Sequence, residues 1–320
     1  MAGLTMRGYA LQRLALGTVQ LALLAVLVFL LTALLPGDAA EVRNNEDATD
    51  AQVAALREQL HLDRPPLERF ADWASGVLTG ELGTSLVSGG PVLDILARTV
   101  GTTLVLAAVT LAVVVPLAVA LGIVSGLREG GRLDRTVTSV TVALNAVPDF
   151  VLALLLVAGL SLKLGWLPAT WVGVEATDLL VQPALLVLPV AVVSARMISL
   201  LSRQVRAGVV TVLRSGYVVQ ARRLGVPRRA LVLRHVLPNA AVPGVQELAR
   251  VGDNLVGGVL IVEAVFAVPG VATALIRAVE ARDVPTVQGL ALVIAAAALV
   301  LSLAADLLCH RLVPRTEVLR

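Results

Sequence analysis

Aromatic residues make up only 3% of the 320-residue chain, which has one cysteine, Cys309, and one lysine, Lys163. The shortage of aromatics removes the stacking platforms on which single-stranded nucleic acid is held. A lone cysteine excludes an internal disulfide and any site built from several thiolates. The three histidines, His61, His235 and His310, stand far apart in the sequence. They form no metal-ligand spacing. No G-x-x-x-x-G-K-[ST] run occurs, so the chain lacks the loop that cradles nucleotide phosphates. Charge is scarce as well: 15% of residues, against about 25% in an ordinary soluble domain.

What fills the chain is apolar. Hydrophobic residues reach 57% and the mean hydropathy is +0.87. Several runs exceed the roughly 18 residues needed to cross hydrocarbon about 30 Å thick. The pattern predicts an all-α polytopic membrane protein with six transmembrane helices, near 11–35, 99–127, 136–164, 179–204, 239–267 and 285–312. The first follows Arg7 and Arg13, as a signal peptide would. Its apolar stretch, Leu14 to Leu35, outruns the ~7–15 residues of a signal core. An uncleaved signal anchor is therefore expected.

Charge sets the expected orientation. Arg196 to Arg234 carries nine arginines and no acidic residue, whereas Asp38 to Arg98 carries eleven acids against five arginines. Basic residues flanking spans are retained on the cytoplasmic side. The arginine-rich segment and both termini are thus expected inside, with the acidic segment outside. Six spans satisfy both placements. The expected division is 1–35 for the tail and first span, 36–98 for an extracytoplasmic insertion, and 99–320 for a five-helix core that includes a cytoplasmic segment at 205–238.

The insertion has structure of its own. Asp50 to Leu60 shows helical spacing of Val53, Leu56 and Leu60, with Asp50 near a cap position. Pro65 and Pro66 break it. Leu67, Phe70, Trp73, Val77 and Leu78 mark a second amphipathic helix, and Gly89-Gly90-Pro91 marks a turn. Trp73 is expected at the headgroup level, which indole rings favour.

The most informative stretch is Tyr217 to Pro243, YVVQARRLGVPRRALVLRHVLPNAAVP. A helix from Ser215 should end at Gly225, where a left-handed backbone is cheap only for glycine. Pro227 prevents its continuation. A second helix from Arg228 is expected to be interrupted near Pro238. Tyr217, Val218, Ala221 and Leu224 would enter a groove on a partner, and Arg222, Arg223, Arg228 and Arg229 would meet acidic groups at its rim. The plainer alternative is that these arginines hold the loop inside and touch phospholipid headgroups.

The segment also resembles the cytoplasmic signature of ABC importer permeases. Ala221 matches its second Ala, Gly225 its Gly, and Leu237-Pro238 its closing Leu-Pro; Val219 and Gln220 stand where Glu and the first Ala would be, and His235 replaces Ile. Further strings are similar to the dipeptide/oligopeptide/nickel permease family: Leu60 to Pro65, Gly80 to Ser85, Tyr217-Val218, Glu263 to Phe266 with Pro269-Gly270, Ala281 to Pro285, and Val287 to Gly289. His61 departs from the usual Gly and Glu81 from the usual Asp. The likeness runs from about Leu11 to Pro314, and it is to the first of that family's two permease subunits, the one with the long outer loop. It implies a permease of the bacterial cytoplasmic membrane, for dipeptides or oligopeptides, that forms half of a translocation pathway. Implied partners are a second homologous permease, two ATP-binding subunits and an extracytoplasmic binding protein. ATP hydrolysis would belong to those subunits, and no cofactor is implied. A nickel-complex or other solute permease of the same family is the alternative.

Charged residues also fall inside apolar runs: Asp149 in the third, and Glu247, Arg250, Asp253 and Glu263 in the fifth. Such groups are costly in hydrocarbon unless they pair or face a cavity. Glu247–Arg250 and Arg250–Asp253 are both i,i+3 pairs on one helix face. Asp149, Glu247, Arg250 and Asp253 are candidates for the pathway lining. A self-neutralised cluster joining two permease subunits is the competing reading, and Glu263 is read as structural. The Arg250 cluster also leaves an ion-coupled secondary transporter as a weaker alternative. A membrane-embedded enzyme would need a clustered nucleophile and base or metal ligands, which the scattered histidines do not supply.

Overall fold

A computed structural model describes residues 6–33, 58, 64–171 and 182–312. The expected helix at Asp50–Leu60 therefore lies outside the described residues, Glu58 apart. Helices are α1 Met6–Ala33, α2 Pro66–Thr79, α3 Val92–Leu127, α4 Arg132–Ala146, α5 Asp149–Leu156, α6 Ala184–Leu213, α7 Gly216–Arg223, α8 Arg228–Leu231, α9 Leu237–Phe266, α10 Val271–Glu280 and α11 Val284–Leu312. Wider π-helical turns extend α5 over Val157–Lys163 and join α8 to α9 over Val232–Val236. No strand occurs among the described residues, only a bridge between Thr84 and Pro91. Four helices are long and apolar enough to cross a membrane, and six spans result if each of two bent pairs counts as one.

One of those pairs breaks the expected span at 136–164. The chain turns by 103° between α4 and α5. Val147, the residue before Pro148, is extended at φ −87° and ψ 125°, because the proline ring disfavours helix in its predecessor. Asp149 then opens α5, with Pro148 at the cap position. By contrast α3 and α6 run through Pro116 and Pro189 without ending. Before Pro238 the α-helix from Arg228 gives way to the π turn at Val232–Val236. Pro238 occupies the first turn of α9, where its missing N–H has no helical partner to lose, and the π turn before it accommodates the change of register.

The chain divides into two compact units. One comprises residues 1–103 and 268–299. Here the Gly80–Ser85 and Ala281–Pro285 strings meet. Asp283 is buried and accepts hydrogen bonds from Ser85 Oγ (2.5 Å), the Leu86 N–H (3.0 Å) and Thr286 Oγ1 (2.7 Å). A carboxylate just before α11 thus anchors the turn that precedes α3. Gln288 Nε2 donates to Thr32 Oγ1 (2.9 Å), tying α11 to α1. Trp73 belongs to an aromatic cluster. Its ring lies 6.0 Å from Phe70, which meets Phe29 of α1 edge-on at 5.0 Å.

The other unit comprises residues 104–267 and 300–320. In it α6 packs against α4, α5 and α9, and α5 also packs against α9. Close approach of α3 to α6 depends on Gly122, where a Cβ would lie 2.6 Å from Val205 Cβ and 2.7 Å from the Ser202 carbonyl oxygen. No larger residue fits there without parting the helices.

Candidate functional site: the arginine-rich turn

The helix α7 ends as its sequence predicts. Leu224 leaves the helix, and Gly225 takes φ +80°. The Gly225 N–H then returns to the Arg222 carbonyl (3.1 Å) and the Val226 N–H to the Ala221 carbonyl (3.2 Å). These two bonds are the Schellman pattern, which satisfies carbonyls left over at a helix end. Pro227 is extended and α8 starts at Arg228.

The underside of the turn is locked into the unit. Val218 is 0% exposed and forms a core with Val209 of α6, Leu231, Val236 and Ala240, against which Ala221 and Val226 pack. This corrects the expectation that Val218 and Ala221 face a partner: both are turned inward. Leu224, 75% exposed, and Tyr217 remain as the outward apolar groups. The Tyr217 hydroxyl donates to the His235 carbonyl (3.3 Å), bracing the turn against the π segment. Arg222, Arg223, Arg228 and Arg229 are all exposed. The outer face is therefore a basic collar around a leucine, on a base fixed by packing.

Two acids outside the arginine-rich segment reach into it. Asp134, 3% exposed, opens α4 and holds Arg206 of α6 through both oxygens, from Nε at 2.5 Å and Nη2 at 2.8 Å. The Gly130 N–H donates to Asp134 Oδ2 (2.9 Å). Arg214, just past the end of α6, meets Glu129 at 2.6 Å. Sequence reasoning missed both acids, having started its third span at 136. The available signal was an acid in a helix's first turn, after Gly130-Gly131, amid Arg128, Arg132 and Arg135.

The chain as a whole has known relatives. Residues 118–318 match the family described as binding-protein-dependent transport system inner membrane component, and residues 6–107 match the N-terminal region of such membrane components. The chain belongs to this family. It is similar over nearly its whole length to a protein of Sinorhizobium fredii named as a peptide ABC transporter permease, at 32% identity covering 96% of this chain and 98% of that one. A protein of Brucella suis named as a peptide permease is 35% identical, covering 97% and 99%. A glutathione transport system permease protein of Pectobacterium atrosepticum is 34% identical, covering 95% and 96%.

Of the expected lining residues in this permease, the structure brings Glu247 and Arg250 together on α9, at 3.8 Å. That distance is an ion pair too long for a hydrogen bond. The Glu247 side chain is 8% exposed and that of Arg250 is 75% exposed. The side chain of Asp253 lies outside the described residues. Asp149 stands in the first turn of α5, which packs against α9. Glu263 is fully buried.

Proposed function

We propose that this permease forms half of a pathway for dipeptides or oligopeptides and is driven by separate ATP-binding subunits that grip the arginine-rich turn. The observation that carries the reading is the division of that turn. Val218 is buried in the chain's own core, while Leu224 and four arginines face outward. A loop whose only task was to hold topology would not need a closed, buried base under its charges. On this reading Tyr217 and Leu224 enter the partner's groove, Arg222, Arg223, Arg228 and Arg229 meet its acidic rim, and Ala221 and Gly225 hold the shape. Charge asymmetry along the chain supports an inside location for the turn and both termini.

A second homologous permease completes the pathway, and an extracytoplasmic binding protein delivers substrate. The insertion with α2 helps to seat that protein. The names of the peptide and glutathione permeases support a peptide substrate, and Glu247 with Arg250 would offer both signs of charge to a zwitterion. ATP and substrate then act on one two-state element. Purification of the native complex, with mass spectrometry of its subunits and bound ligand, tests this. Two ATP-binding subunits, a second permease and a bound peptide are expected; a bound nickel complex would transfer the chain to the alternative substrate class.

A further inference from the structure

We propose that Asp134 and Arg206 are positioning residues through which movement of the arginine-rich turn reaches α4, so that the element driven by ATP extends beyond the turn itself. The inference rests on the coupling role proposed above. Arg206 and Val209 lie one helical turn apart on α6, and Val209 packs directly in the core that seats Val218. At about 1.5 Å per residue the guanidinium and the core contact are only ~5 Å apart along the axis. The helix between them cannot absorb much displacement. A shift of the turn is thus delivered to Arg206.

Arg206 passes it on through a two-point contact. Both Asp134 oxygens are engaged, by Nε and Nη2. A planar fork fixes orientation as well as distance, which a single apolar contact or a lysine does not. Asp134 is held from behind by the Gly130 N–H and by Thr138 Oγ1 (3.5 Å). The turn before α4 therefore follows the carboxylate. Arg214 with Glu129 (2.6 Å) makes a second, exposed link between the same two segments.

The test uses the whole complex in nanodiscs with its ATP-binding subunits and binding protein, measuring substrate moved per ATP hydrolysed. Asp134→Asn and Arg206→Lys are compared with wild type at equal amounts of assembled complex. Each should lower that ratio several-fold while the ATP-binding subunits still co-purify. Arg206→Lys matters because it keeps the charge that a purely topological role requires. The exchange Asp134→Arg with Arg206→Asp should recover part of the ratio lost in either single change. A merely structural role would reduce transport and hydrolysis together and leave the ratio at wild type; that result overturns the proposal. An exchange no better than the single variants overturns it too. Gly225→Val in parallel separates the two claims. If it uncouples while Asp134→Asn does not, this inference alone fails. If neither uncouples, the coupling role of the turn fails first.

Discussion

Replacing Gly225 perturbs the turn at the one point where its shape depends on backbone freedom alone. Gly225 has φ +80°, and a Cβ built there meets no atom within 4 Å. The cost of a side chain is therefore conformational rather than a collision. An L-residue in the left-handed region costs about 1–2 kcal/mol, so Gly225→Ala should shift the local equilibrium about five- to thirtyfold, at about 1.4 kcal/mol per factor of ten. Gly225→Val should cost more, because a β-branched residue is a genuine outlier at positive φ. Asn tolerates this region, and Gly225→Asn should stay near wild type. The expected order of coupled transport is Gly, Asn, Ala, Val. It is read as substrate moved per ATP in a reconstituted complex, with co-purification of the ATP-binding subunits as the measure of docking. Protein level and membrane insertion should hold throughout, since the core around Val218 is untouched. An order that follows side-chain size, with Asn worse than Ala, would refute the conformational argument. Wild-type coupling in the Val variant would refute the role of the turn.

Replacing Arg222 and Arg223 together by Gln should weaken ATPase docking mildly, and the effect should fade as salt rises, since charges at an exposed rim are screened beyond about 10 Å at 0.1 M. Arg250→Ala removes the cation beside the buried Glu247 carboxylate and should cost more in assembly than the ~1 kcal/mol of a surface pair; altered substrate preference with intact assembly would support a lining role. Asp283→Ala strands the donors of Ser85, Leu86 and Thr286 and should destabilise the complex by about 3 kcal/mol, seen as a lower melting temperature in detergent, with Ser85→Ala costing less. With Cys309 replaced, a cysteine at Glu58 should be labelled from outside and one at Arg229 only after the membrane is opened.

Much of this architecture is legible because its signals are local. Gly225 followed by Pro227 announces a helix stop, and the stop forms through bonds within six residues. Pro65-Pro66 marks the start of α2 for the same reason: Pro65 takes the cap position and Pro66 the first turn. The rest needed tertiary information. Val218 and Val219 are adjacent and equally apolar, yet one is buried and the other partly exposed; only the placement of Val209 and Leu231 decides between them. Pro148 marks a break in the run at 136–164, but only the fold sets its angle at 103°. The Asp134–Arg206 pair joins residues 72 positions apart. The acid carries no marker beyond its place in a first helical turn. Trp73 meets Phe70 on its own helix, but the contact of Phe70 with Phe29 of α1 has no local marker in the sequence.

The most direct measurement is site-specific cross-linking from the turn in the assembled complex, with Cys309 replaced. Leu224→Cys, at the exposed apex, should join an ATP-binding subunit, and the yield should change between nucleotide-free and ATP-bound conditions. Val218→Cys, at the buried base six residues earlier, should not. No product from Leu224→Cys, or labelling of that position from outside the cell, would contradict the assignment of this turn as the handle through which ATP drives the permease.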